Sequence, residues 1–101
     1  MYKIDPDDLR LAREFKARPI GLHSPDLQRL LRLFRGEPVA GKYALMTVKR
    51  HREWMLVQLT GEKGRPLVLH EDKIFRSLEE AEWEVFKLRW KKHTGRELPL
   101  D

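Results

Sequence analysis

The chain has 101 residues, 41% of them hydrophobic, with 21 Lys and Arg against 16 Asp and Glu, a net charge of +5, and no cysteine. These figures fit one soluble domain with a heavily charged surface, and they exclude a disulfide framework, a thiolate metal site and a disordered tail. No apolar run reaches the length of a membrane span, and Met1-Tyr2-Lys3-Ile4-Asp5 lacks the apolar centre of a secretory signal, so a cytoplasmic location is expected.

Asp5-Pro6-Asp7-Asp8 reads as a helix start, with Asp5 as N-cap and Pro6 at the first helical position, where its missing N–H costs nothing. Leu9, Leu11, Ala12 and Phe15 form one apolar side of this helix. Pro19 ends it by pushing Arg18 out of the helical region. Ile20-Gly21-Leu22-His23 is a short apolar connector, expected to pack down on the protein. Ser24-Pro25-Asp26 repeats the start signal, and Leu27, Leu30, Leu31, Leu33 and Phe34 follow helical spacing on a single face. Gly36 and Pro38 close this second helix, predicted over 25–35.

From Gly41 the apolar period changes from 3.6 to 2. Tyr43 to Val48 reads as a strand, Lys49 to Glu53 as a polar turn, and Trp54 to Thr60 as a second strand. Gly61 to Pro66 makes another turn, and Leu67-Val68-Leu69 a short third strand. Alternation puts Ala44, Met46, Val48, Met55, Val57 and Leu59 on a core face. The other face carries Tyr43, Leu45, Trp54 and Leu56, diluted by Thr47 and Gln58, so a helix or a partner should cover part of it. Glu71-Asp72-Lys73 then leads through Ile74 and Phe75 into the last helix.

That helix is predicted over 77–93. Ser77 and Glu80 form a capping-box pattern, with acids crowding the first turns and Lys87, Arg89, Lys91 and Lys92 the last. At 100° per residue, Leu78, Ala81, Val85 and Leu88 form one apolar stripe and Trp83, Phe86 and Trp90 a second, facing nearly the opposite way. A helix resting on one sheet buries one stripe. The second must lie under another part of the chain or against a partner, and with Tyr43 and Trp54 it is the candidate partner interface. The competing reading has the first helix fold over it through Leu9 and Phe15. Arg96 to Asp101 reads as a frayed tail. The chain is thus expected to be a single α+β domain: two N-terminal helices, a three-stranded antiparallel β-meander and a C-terminal amphipathic helix. Residues 1–22 form the N-terminal helix and connector, 23–93 the core unit and 94–101 the tail.

Chemistry-bearing constellations are sparse. His23, His51, His70 and His93 lie too far apart in sequence for a helical metal pair, and Ser24 beside His23 is explained by its cap role. Gly61 and Gly64 suit a turn, and no Lys-Ser or Lys-Thr follows to make a phosphate loop. The sequence therefore offers no catalytic, cofactor-binding or metal residue. Basic residues supply the alternative: Arg29, Arg32 and Arg35 on the second helix with Lys49, Arg50 and Arg52 at the hairpin tip would make a free-standing module that contacts nucleic acid. Glu37, Glu53 and the acidic helix start interrupt every such patch.

His23-Ser24-Pro25, Leu27-Gln28-Arg29, Phe34-Arg35, Pro38, Gly41-Lys42-Tyr43, Glu53-Trp54, Gly64 with Pro66, Phe75, Glu79-Glu80-Ala81, Val85-Phe86 and Arg89 stand in an order and spacing that resembles the small (alpha) subunit of N,N-dimethylformamidase. The resemblance runs from about His23 to Lys92; the family's small subunit has a longer N-terminal extension, and the first twenty residues match it poorly. It implies a subunit of an amidohydrolase that splits N,N-dimethylformamide to dimethylamine and formate. It further implies that the mononuclear iron, with its tyrosine and glutamate ligands, belongs to the large subunit. Together the two lines of reading lead to one expectation: a non-catalytic small subunit that packs on and stabilises a large catalytic subunit in a hetero-oligomer, with self-association as a second use of the apolar stripe.

Overall fold

A computed structural model describes residues 8–36 and 38–100. The order of elements is α1 (Leu9–Ala17), α2 (Pro25–Arg35), β1 (Tyr43–Lys49), β2 (Glu53–Leu59), β3 (Leu67–Phe75) and α3 (Leu78–Thr94). The α+β class with a C-terminal helix agrees with the sequence pattern.

The expected start of the first helix at Asp5, Pro6 and Asp7 lies outside the described residues; Asp8 precedes Leu9 as N-cap. Arg18, held before Pro19, leaves the helix at φ −147°, while its N–H still bonds the carbonyls of Glu14 and Phe15. Ser24 begins α2 as expected: its backbone is extended and its Oγ accepts from Leu27 N–H at 3.2 Å. Glu14 adds a tie between the helices, accepting from Ser24 N–H at 2.8 Å and from Ser24 Oγ at 2.6 Å. Arg10 and Asp26 pair across the same two helices at 2.8 Å.

The sheet is antiparallel in the order β1-β2-β3. Its register sets Ala44 opposite Val57 and Met46 opposite Met55 on one face, with Leu45 opposite Leu56 and Thr47 opposite Trp54 on the other. Three features differ from the sequence reading. The hairpin tip narrows to Arg50-His51-Arg52, with His51 in the left-handed region at φ 61°. Val48, expected in the core, is 40% exposed, because the register breaks between Thr47 and Lys49 and interrupts the alternation there. The third strand extends to Phe75, and an irregularity sets Leu56 opposite His70 but Met55 opposite Ile74, so that Glu71-Asp72-Lys73 has no partner in β2. Met55, Leu56 and Val57 are all buried, so the middle strand is shielded on both faces at its centre.

Ser77 caps α3, accepting from Glu80 N–H at 3.3 Å. The reciprocal half of the capping box is replaced: Ser77 Oγ donates to Glu79 Oε2 at 2.9 Å. α3 touches all three strands, and of its first stripe Ala81 and Val85 are buried. Its second stripe is buried too. Trp83, Phe86 and Trp90 join Leu11, Ala12, Phe15, Leu27, Leu30, Leu31 and Phe34 in one cluster, with the Phe86 ring 4.5 Å from Phe15 and 5.4 Å from Phe34. α3 is therefore the middle layer, with the sheet on one side and the α1–α2 hairpin on the other.

From Gly95 to Leu100 the tail does not fray as expected. Gly95 at φ 76° donates its N–H to Lys91 O and reverses the backbone, and Lys91 pairs with Glu97 at 3.3 Å. Leu98 is consequently buried within the aromatic cluster, and Leu100 packs against it. Because both tryptophans and Leu98 fill core space, Trp83→Ala and Trp90→Ala should each destabilise the isolated chain by about 3–5 kcal/mol, and Leu98→Ala by about 2–5 kcal/mol. Thermal and urea melts of the three variants check this; unchanged midpoints would show the stripe to be a free surface.

Candidate partner-binding surfaces

The residues that the sequence nominated for a partner interface are not gathered on one surface. Trp83, Phe86 and Trp90 are between 2% and 9% exposed, so the surplus stripe is satisfied inside the chain. This corrects the expectation of an interface there, and the reason is that α1 and α2 fold over the helix through Phe15 and Phe34. Tyr43 and Trp54 are half-buried on the same sheet face. Tyr43 is tied to α3, its carbonyl accepting from Arg89 Nη2 at 3.1 Å and its ring lying 6.0 Å from Lys92 Nζ.

The basic residues are exposed, but in two groups on separate elements: Arg29, Arg32 and Arg35 on α2, and Lys49, Arg50 and Arg52 around the hairpin tip. Acids sit among them. Arg29 lines a shallow groove with Asp8 and Asp26, and Lys49 pairs with Glu53 at 3.6 Å. No helix among the described residues is long and apolar enough to cross a membrane.

The histidines stay apart as well. His23 Nε2 shares a hydrogen bond with Arg18 O at 2.9 Å, His70 Nε2 one with Gln58 Oε1 at 2.8 Å, and His93 packs its ring against Phe34. Among the described residues no three histidine, aspartate or glutamate side chains converge on a point where a metal could sit.

One feature escaped the sequence reading. Between the α1–α2 connector and α3 lies a crevice of about 270 Å³, lined by Phe15, Ile20, His23, Arg35, Glu82 and Arg89 among others. Glu82 and Arg89 are seven residues apart, hence on one flank of α3, and that flank falls between the two buried stripes. Burial pushes the Glu82 carboxyl above its ordinary value of 4.5, while Arg89 and Arg35 pull it back down. The connector forms one rim. Expected to pack down, it instead leaves Leu22 88% and Ile20 46% exposed. Its backbone is nonetheless tied, by the His23 bond to Arg18, by Gln28 Nε2 donating to His23 O at 2.8 Å, and by the Phe15 and His23 rings 5.7 Å apart.

A family model described as the N,N-dimethylformamidase alpha subunit matches residues 6–98 of the chain. The chain belongs to that family. No individual curated protein gives a significant match. The matched span takes in α1 and reaches Leu98, where the sequence resemblance began only at His23 and ended at Lys92. It therefore covers every element that buries the aromatic cluster.

Two carboxylates on this side of the molecule should give opposite pH signatures. Glu14, held below its ordinary value by the Ser24 hydroxyl and then by the Ser24 N–H, contributes stability present above about pH 4.5 and lost as pH falls through its lowered value. Glu82, raised by burial, imposes a cost absent in acid that appears as pH rises through 4.5 to its raised value. Glu14→Gln should therefore melt lower than the parent at pH 7, and Glu82→Gln higher, with both differences shrinking below pH 4.5. Melting curves between pH 3 and 8 measure this, and differences independent of pH would refute both assignments.

Proposed function

We propose that the chain is the non-catalytic small subunit of an N,N-dimethylformamidase-like amidohydrolase, packing on a large catalytic subunit and stabilising it. The family match over nearly the whole fold carries the reading. Exposed apolar side chains support it: Leu22 and Ile20 stand on a tied connector, and Leu69 and Ile74 on the edge strand β3 are about half exposed. Isolated exposed leucines are common, but an apolar side chain as exposed as Leu22 favours a contact that removes it from water. In this reading the iron and its tyrosine and glutamate ligands sit in the large subunit, the complex is cytoplasmic, and this chain contributes fold and contact area but no reacting group.

Co-expression with an N,N-dimethylformamidase-type large subunit tests the proposal. A tagged copy of this chain should carry the large subunit through purification in a fixed ratio. The complex should hydrolyse N,N-dimethylformamide and contain iron, whereas the chain alone should do neither. Hydrolysis by the isolated chain, or a large subunit that is soluble, active and unbound in its presence, would overturn it.

A further inference from the structure

β3 lies at the edge of the sheet and has β2 as its single neighbouring strand. We propose that two copies of this chain pair antiparallel through the outer edges of β3, about a two-fold axis at Val68, and so join two three-stranded sheets into one of six strands. The pairing stands apart from the subunit reading, and either can fail alone.

The phase of the ladder shows which backbone groups are free. Thr60 N–H donates to Pro66 O at 3.0 Å, so the register makes Gln58 with Val68 and Leu56 with His70 the hydrogen-bonded pairs. The intervening residues Leu67 and Leu69 therefore turn their N–H and C=O groups away from β2. Pro66 belongs to the inward set, and its missing N–H takes nothing from the outer edge. The Leu69 side chain is 45% exposed as well. A second β3 turned about Val68 sets Leu67 opposite Leu69, and Leu69 opposite Leu67, as hydrogen-bonded pairs that exchange two bonds each. Val68 meets its own copy between them, so the centre of the junction is apolar.

Charge favours the same register. The rotation brings Glu71 of each copy level with Arg65 of the other, and both side chains are exposed and in no ion pair among the described residues. Lys63 falls level with Lys73 farther out, past the regular ladder, where those long side chains can turn apart. An axis at Leu69 would set Arg65 level with Lys73, and one at Leu67 would set Leu69 level with Arg65, whose carbonyl the Thr60 hydroxyl already occupies. Although the chain carries +5, the stretch from Glu62 to Lys73 has three acids, Glu62, Glu71 and Asp72, against three bases, Lys63, Arg65 and Lys73, so two copies approach without net repulsion there. A strand that is apolar at its centre, with a base before it and an acid after it, is complementary to its own antiparallel copy and needs no second sequence. Growth stops at the pair. Glu71-Asp72-Lys73, without a partner in β2, breaks the ladder past His70, and at the opposite edge of the sheet Arg89 already occupies the Tyr43 carbonyl. A junction of two bonded pairs is smaller than a standard interface, so the association is weak and depends on concentration.

Sedimentation velocity on the full chain at low salt, from about 5 to about 500 µM, should show a monomer giving way to a dimer. Leu69→Lys should abolish the dimer. Arg65→Glu and Glu71→Arg should each weaken it by about fivefold or more, and an equimolar mixture of these two variants should regain the parent's association, because every acid then meets a base across the junction. Arg50→Glu at the hairpin tip should leave it unchanged. All four positions are exposed, and recovery on mixing arises only between chains, so a variant that merely folds poorly cannot produce it. A chain that stays monomeric over the whole range overturns the proposal. A dimer that tolerates Leu69→Lys overturns it too, as does a mixture that associates no better than its components.

Discussion

The Phe86 ring is the contact on which the rest of the molecule depends. It lies in α3, stacks on Phe15 of α1 at 4.5 Å, meets Phe34 of α2 edge-on at 5.4 Å, and has Trp83 and Trp90 of its own helix within 6.2 Å. α3 is also the helix that lies against all three strands. The helical hairpin is therefore joined to the sheet through α3, and Phe86 sits where that junction is densest. Aromatic side chains bury about 150–250 Å² each, which in a domain with net stability on the order of 5–15 kcal/mol gives a few rings control over whether two layers hold together.

Much of this was legible in the sequence because it rests on local rules. The Ser24-Pro25 start, the change of period at Gly41 and the Ser77 cap are short-range signals, and each appears where the residues put it. The two stripes of α3 were legible as well, but what covers the second was not. Periodicity shows that Trp83, Phe86 and Trp90 need burial; it carries no information on whether the cover comes from Phe15, about seventy residues away, or from another chain. Val48 failed for a different reason: alternation assumes an unbroken ladder, and the irregularity between Thr47 and Lys49 interrupts it. Leu98 failed because a polar, glycine-containing stretch after a helix resembles a loose end, and only the left-handed turn at Gly95 shows the chain being sent back onto the core.

The crevice is a consequence of the same helix. With α3 buried on two sides, any charged residue on the flank between its stripes is drawn into the boundary between layers. Glu82 precedes Val85 of one stripe by three residues and Phe86 of the other by four, and Arg89 follows Phe86 by three and Val85 by four. A charged residue with buried apolar neighbours at both three and four positions, belonging to different stripes, is the sequence signal that would have found the site. Arg35 and His23 could not have been added from the sequence, since their approach depends on how the α1–α2 hairpin lies on α3.

A small subunit has to keep folding and assembly separable if it is to exist before it meets its partner. Here the strongest apolar groups are spent on the interior, and the side chains left in water are few and scattered, with Leu22 the most exposed of them. A core substitution such as Trp83→Ala would abolish assembly by unfolding this chain, so loss of a complex in that variant would say nothing about where the partner sits. Leu22 and Arg35 are exposed, and the carbonyls of Arg18 and His23 that flank Leu22 are bonded by the His23 and Gln28 side chains, not by Leu22. Changes there alter the surface a partner meets while leaving Phe86 and its neighbours in place. It is at such positions, and not at the aromatic stripe, that the energetics of association can be read apart from those of folding.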